Sequence, residues 1–340
     1  MASDVESALG LELDAGGPCL RALGVWLDPT GTARAAFVSH AHAAAAARDC
    51  PRVFATHATL AIARSLGTEL RNATALGWGD TAELNIDDAF GGGTARISVV
   101  PAGHALGAAQ LVVDHPRGRL VYTGDWSSEA DATHAAGEVV ACDELVITCA
   151  FGLPIFRFEP AATVLAALAT WCSARLAENV TPVVLAKTPG PAQSIVHALL
   201  ALGLPVTAHD AVRTGCAAYA ALGVPHQGVA SHSPGARGVI VVAPADARAV
   251  DIRARGATLV AYASGWALLD AAVEQKRADA AFVLADHADC DALVAHARAT
   301  GAKLVHATHG HAGPFVRMLA SAGIAARGLE APAIDPRSAS

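Results

Sequence analysis

Two histidines, His40 and His42, stand two apart at the end of an apolar run in FVSHAHAAAAARDC, residues 37–50, and five alanines follow them. Imidazole nitrogens hold metals and move protons, whereas alanine offers no lone pair. Whatever the pair begins is therefore not continued in the next turn. Four further motifs stand at strand ends or in the turns after them. They are PAGHALGAAQ with His104, YTGD with Asp125, ADHAD with Asp286 and His287, and ATHG with His309. Imidazoles and carboxylates converging from strand ends form metal sites; zinc accepts both, and a catalytic zinc keeps one position for water. Each histidine taken singly is equally compatible with a satisfied core or surface residue. Spacing alone does not bring five distant motifs together.

The elements that must position these motifs change character along the chain. The first half reads as short apolar strands separated by turns: ARAAFVSH, RISVVPAG, AAQLVVDH and GRLVYTGD. A helix is predicted over ATLAIARSLG, residues 58–67, closed by its glycine. From about Glu159 strands alternate with helices of ten or more residues. PAATVLAALATWCSARLAEN, PAQSIVHALLALG and AVRTGCAAYAALG read as helices, and TPVVLAK, LPVTAH, GVIVVAPAD and ATLVAYA as strands. That alternation indicates a parallel α/β unit. The tail adds AAFVLADHAD, the helix CDALVAHARATG, the strand KLVHATHG and the helix PFVRMLASAGI, then APAIDPRSAS as a frayed end. No repeat or low-complexity linker marks a boundary, which suits a second unit inserted into the first.

Composition sets the outer bounds. Of 340 residues, 53% are hydrophobic and 16% charged, which excludes a disordered polar chain. The longest uncharged stretch reaches His209 from Thr188 but is broken by Pro189, Pro191, Gln193 and Pro205, so no membrane span is expected. The acidic start MASDVESALGLELDAGG lacks the basic opening of a secretory signal, and seven cysteines show no CxxC pairing. A reducing cytoplasm is the expected compartment. Net charge of −7 disfavours non-specific nucleic-acid binding, although a local basic channel is compatible with it.

The order of SHAH, PAGHALGAAQ, YTGD, FGLPIFR, ADHAD and THG resembles the metallo-β-lactamase superfamily. It is more similar to the β-CASP nucleases, and most similar to the bacterial DNA-ligase-associated exonucleases, from about Leu20 to Glu330. PAGHALGAAQ with YTGD marks the larger group, while FGLPIFR and ASGW (263–266) point to the ligase-associated branch. The resemblance implies an α/β fold: a metallo-β-lactamase αββα sandwich with an inserted β-CASP α/β domain. Residues 1–147 and 286–330 would form the two parts of the core, 148–285 the insertion and 331–340 a tail.

The resemblance also implies a ligand set. His40, His42 and His104 would hold a first zinc, and Asp125 would bridge to a second. That second ion should take the Asp and His that end an HxHxDH motif, plus His309; this chain has Ala44 and Ala45 there. One tightly bound zinc is therefore expected. His287 would donate a proton to the leaving group, with Asp125 orienting the attack. Thr148 replaces an acidic residue of the family, and Pro191 and Ser194 replace two cations. After ASGW the family is strongly basic, but this chain reads ALLDAAVEQKR. His209 is retained, and His57 stands where it would have to reach across to substitute for a lost ligand. The implied function is a metal-dependent DNA exonuclease-like phosphodiester hydrolase of DNA repair with a degenerate second metal site. DNA ends, and DNA ligase or other repair proteins, would be its partners. The alternatives are an inactive nuclease-derived binding or scaffold protein and a mononuclear zinc hydrolase of a small ester.

Overall fold

The computed structural model describes residues 7–225, 228–233, 236–247 and 257–329. The tail expected over 331–340 lies outside them. The described residues form a mixed α/β fold with three sheets.

Six strands within residues 11–76 make the first sheet in chain order, antiparallel at its start and parallel from Val25–Leu27 onward. The second sheet begins as an antiparallel meander of four strands within 81–122. Glu144–Cys149 then joins beside Gly118–Tyr122 in parallel, followed by Leu304–Gly310 and Ala326–Gly328. Between Cys149 and Leu304 the chain builds the third sheet, six parallel strands within 181–282. The strands Glu144–Cys149 and Thr181–Ala186 are buried at every residue, as parallel strands covered on both faces require.

Side-chain alternation fixes the layers. Phe37 and Phe54 of the first sheet pack with Leu120, Tyr122 and Val146 of the second in one apolar cluster, so the two sheets lie face to face. Their neighbours in sequence point the other way. Val38, Val53 and Ala55 join Ala44, Ala47 and Ala63, which come from the 3-10 segment Ala41–Ala47 and the helix His57–Ser65. Val121, Leu145 and Ile147 join Leu293, Phe315 and Leu319, from the helices Cys290–Ala299 and Ala312–Ser321. The order across the molecule is helix, sheet, sheet, helix.

Local differences from the sequence reading have simple causes. The helix predicted over 58–67 spans His57–Ser65, because the Thr56 hydroxyl caps it by accepting from the Thr59 amide at 3.0 Å. In ASGW, Ser264 caps the short 3-10 turn Gly265–Leu268. Among the described residues no helix is long and apolar enough to cross a membrane.

Candidate metal centre

The chemistry-bearing residues lie in the turns that follow strands. His40 follows Ala36–Phe37, His104 follows Thr94–Pro101, and Asp125 follows Gly118–Tyr122. Asp286 and His287 come after Ala280–Phe282, and Lys187 directly after Thr181–Ala186. All three sheets contribute.

A relay behind His40 sets its tautomer. The Asp28 carboxylate accepts from the Ser39 amide at 2.7 Å, from the Tyr122 hydroxyl at 2.9 Å, and from the Ser39 hydroxyl. Ser39 has one hydroxyl proton, and Asp28 takes it. At the 2.9 Å contact between Ser39 Oγ and His40 Nδ1 the imidazole is therefore the donor. That leaves the Nε2 lone pair of His40 facing the cluster. His104 is set in the same way: its Nδ1 donates to the Asp286 carbonyl at 2.9 Å, and its buried Nε2 has no hydrogen-bond partner. His42 is partly buried, and both its ring nitrogens are buried without a hydrogen-bond partner. Burial, then the charge of Lys187, brings the His42 imidazole down to about 3, and burial holds His104 well below the ordinary histidine value. Both are neutral, as ligation demands.

The three rings meet edge-on, with centroids 5.3 Å apart for His40 and His42, 4.8 Å for His40 and His104, and 5.7 Å for His42 and His104. One ligand atom from each lies within 4.8 Å of the others. Asp125 Oδ2 stands 3.6 Å from His40 Nε2 and 3.9 Å from His104 Nε2, too far for good hydrogen bonds. Donors around a tetrahedral zinc are about 3.4 Å apart, given bonds of about 2.0–2.1 Å. The Asp125 distances are close to that value, and the unpartnered buried nitrogens of His42 and His104 give the group the donor chemistry a divalent cation takes. Asp125 is placed by its neighbour: the Gly124 carbonyl accepts from Thr123 Oγ1 at 2.7 Å and Thr148 Oγ1 at 2.8 Å. Gly124 itself has φ +53°, and a Cβ there would sit 2.6 Å from that of Ser39. Only glycine allows the Asp125 turn to press against the Ser39 turn.

His287 has a different character. Its Nδ1 is 2.6 Å from Asp286 Oδ1 and its Nε2 is 3.1 Å from Asp125 Oδ2. Burial disfavours its charge, but Asp286 and Asp125 outweigh that and hold the imidazolium up to about 10. His104, Asp125 and His287 also lie close enough to share an ion. With both nitrogens engaged by carboxylates, however, His287 has no lone pair free for an ion.

The other residues singled out in the sequence fall elsewhere. His309 is exposed, with φ +52° and its Nδ1 3.3 Å from Thr308 Oγ1, and it belongs to neither three-residue group. His57 is exposed at the start of its helix and is likewise outside both. Ala44 is fully buried in the apolar cluster, while Ala45 is exposed. His209 caps the helix Asp210–Ala221, its Nδ1 accepting from the Ala211 amide at 3.2 Å. Pro191 opens a buried helix, and Ser194 Oγ lies 3.2 Å from Thr133 Oγ1. Sequence reasoning passed over Asp28 and Lys187. No spacing signal marks Asp28, but a cation ending the apolar run TPVVLAK was visible.

No protein-family model matches the chain. It is 30% identical over 315 residues to a protein described as a probable DNA ligase from Opitutus terrae, a match that covers 92% of this chain. The chain spans only 30% of that relative's length. Among solved structures it is similar to a protein of unknown function from Enterococcus faecalis V583, with a TM-score of 0.55 at 13% identity. That likeness covers 81% of this chain and 75% of the other, and concerns the fold alone.

Proposed function

We propose that the chain is a zinc-dependent phosphodiester hydrolase acting on DNA ends, built as a metallo-β-lactamase sandwich with a β-CASP unit at 148–285. The observation that carries this reading is the convergence of the imidazoles of His40, His42 and His104, with buried nitrogens of His42 and His104 left without a hydrogen-bond partner. The substrate class is supported by the ordered motifs of the sequence and by similarity to part of a protein described as a probable DNA ligase. Repair proteins, a DNA ligase among them, are the partners this reading implies.

A zinc held by the three imidazoles supplies Lewis acidity toward a phosphoryl oxygen and makes an attacking water more acidic. The chain's own groups do the rest. Asp125, fixed through Gly124, orients the attacking water by accepting from it. His287 gives the Nε2 proton to the leaving oxygen, while Asp286 anchors Nδ1 and stays ionised throughout. His309 stands outside this scheme, which needs one ion.

Chain purified without added metal should carry one zinc and shorten labelled DNA ends, and a chelator should stop it. His104→Ala should lose both the zinc and the activity. A zinc-loaded chain that leaves DNA ends intact would favour a binding or scaffold role. The buried Ala44 and exposed Ala45, neither able to hold a second ion, are the features that favour that second reading.

A further inference from the structure

Lys187 is a cation at the metal centre to which the scheme above gives no task. It follows a strand paired on both sides, Thr181–Ala186, so its backbone is fixed at that strand's carboxyl end. Its carbonyl accepts from the Ala192 amide at 3.0 Å. The loop beyond is locked by Gln193, which accepts from the Gly190 amide at 2.8 Å and donates to the Val212 carbonyl at 3.0 Å. From this anchored stem the ammonium reaches to 3.2 Å from Asp286 Oδ2, an oxygen that lies 3.5 Å from His104 Nδ1. The ammonium thus enters the metal centre from the third sheet, beside the carboxylate that also borders His104.

An ammonium has three N–H donors. Asp286 engages one, and 40% of the Lys187 side chain is exposed, which leaves donors accessible to a ligand. Charge gives those donors a purpose. Asp125 and Asp286 balance Lys187 and His287, so a bound divalent ion leaves the centre with a surplus of two positive charges. On a chain of net charge −7 this makes the loaded centre a local anion site.

We infer that Lys187 is a substrate-binding residue, donating to a non-bridging oxygen of a phosphoryl group held beside the metal and supplying a fixed positive charge there. The inference rests on the metal-centre reading proposed above. The phosphoryl group can belong to a DNA end or to free phosphate, and the test separates them.

Inorganic phosphate is titrated calorimetrically into the zinc-loaded 340-residue chain, Lys187→Gln and Lys187→Arg, with zinc content measured for each. Glutamine keeps a donor for Asp286 but not the charge. Phosphate should bind Lys187→Gln about tenfold more weakly and Lys187→Arg within about threefold of the parent, with one zinc retained throughout. On DNA ends the glutamine variant should raise KM about tenfold and change kcat less than about threefold. Equal phosphate affinity in Lys187→Gln, no phosphate binding by the parent, or loss of zinc from the glutamine variant would each overturn the inference. If phosphate binding depends on Lys187 but DNA ends are not cut, the lysine's role stands and the nuclease reading fails. If DNA ends are cut with an unchanged KM in Lys187→Gln, the nuclease reading stands and the lysine's role fails.

Discussion

Ser39 Oγ stands 2.9 Å from His40 Nδ1 and, having spent its proton on Asp28, can only accept there. The proposed ligand atom of His40 is thus selected from behind. Ser39→Ala removes the acceptor and frees the ring to turn. Metal affinity should fall about 10- to 100-fold, read by competition with a chromophoric chelator, with the circular dichroism spectrum unchanged. Undiminished affinity would mean that the relay does not set the tautomer.

Gly124 carries the same argument into the backbone. Gly124→Ala places a methyl 2.6 Å from the Ser39 Cβ at a positive φ. A loss of about 1–3 kcal/mol in urea unfolding is expected, together with weaker zinc binding, because the Asp125 and Ser39 turns must separate. A variant as stable as the parent would show that the turns are not in fixed contact.

Metal-free chain should be most stable near neutral pH. His42 at about 3, His296 at about 4 and His104 well below the ordinary 6.5 stay neutral in the fold through burial. The unfolded chain binds protons that the fold refuses, so stability falls as pH drops from 6.5 toward 3. His287 acts in the opposite sense. Its folded value is raised to about 10, so its contribution is complete below 6.5 and declines as pH climbs toward 10. Above 9 buried thiols such as Cys19, raised to about 12 by burial, add a further loss. Urea midpoints between pH 6.5 and 9 should decline in the parent and stay flat in His287→Gln. Parallel slopes would show that His287 is not held as an imidazolium.

The absent ligands can be put back into the sequence, but position 44 has no room for charge. Ala44 is 0% exposed within the cluster of Ala36, Val38 and Val53. Ala44→Asp with Ala45→His should destabilise the chain by about 2 kcal/mol or more and leave elemental analysis at one zinc per chain. His309 is exposed and belongs to neither group. Two ions in the double variant would show that residue 44 can turn toward the centre.

What the sequence determined is local. Continuous apolar runs marked the parallel strands, since a strand covered on both faces needs no polar side. The His40 and His42 pair was legible as candidate ligands, because two imidazoles two apart already share one turn. The alanines after them showed that no further ligand comes from that segment. Tertiary structure decided the rest, because it depends on atoms far apart in the chain. The proton on His104 Nδ1 is fixed by a carbonyl 182 residues away. Asp28 and Ser39 choose the free nitrogen of His40, and two carboxylates hold His287 as an imidazolium while burial keeps His42 and His104 neutral. Lys187 enters from another sheet altogether. Periodicity records which face of an element is buried; which lone pair is free, and which histidine is charged, depends on what folding brings against it.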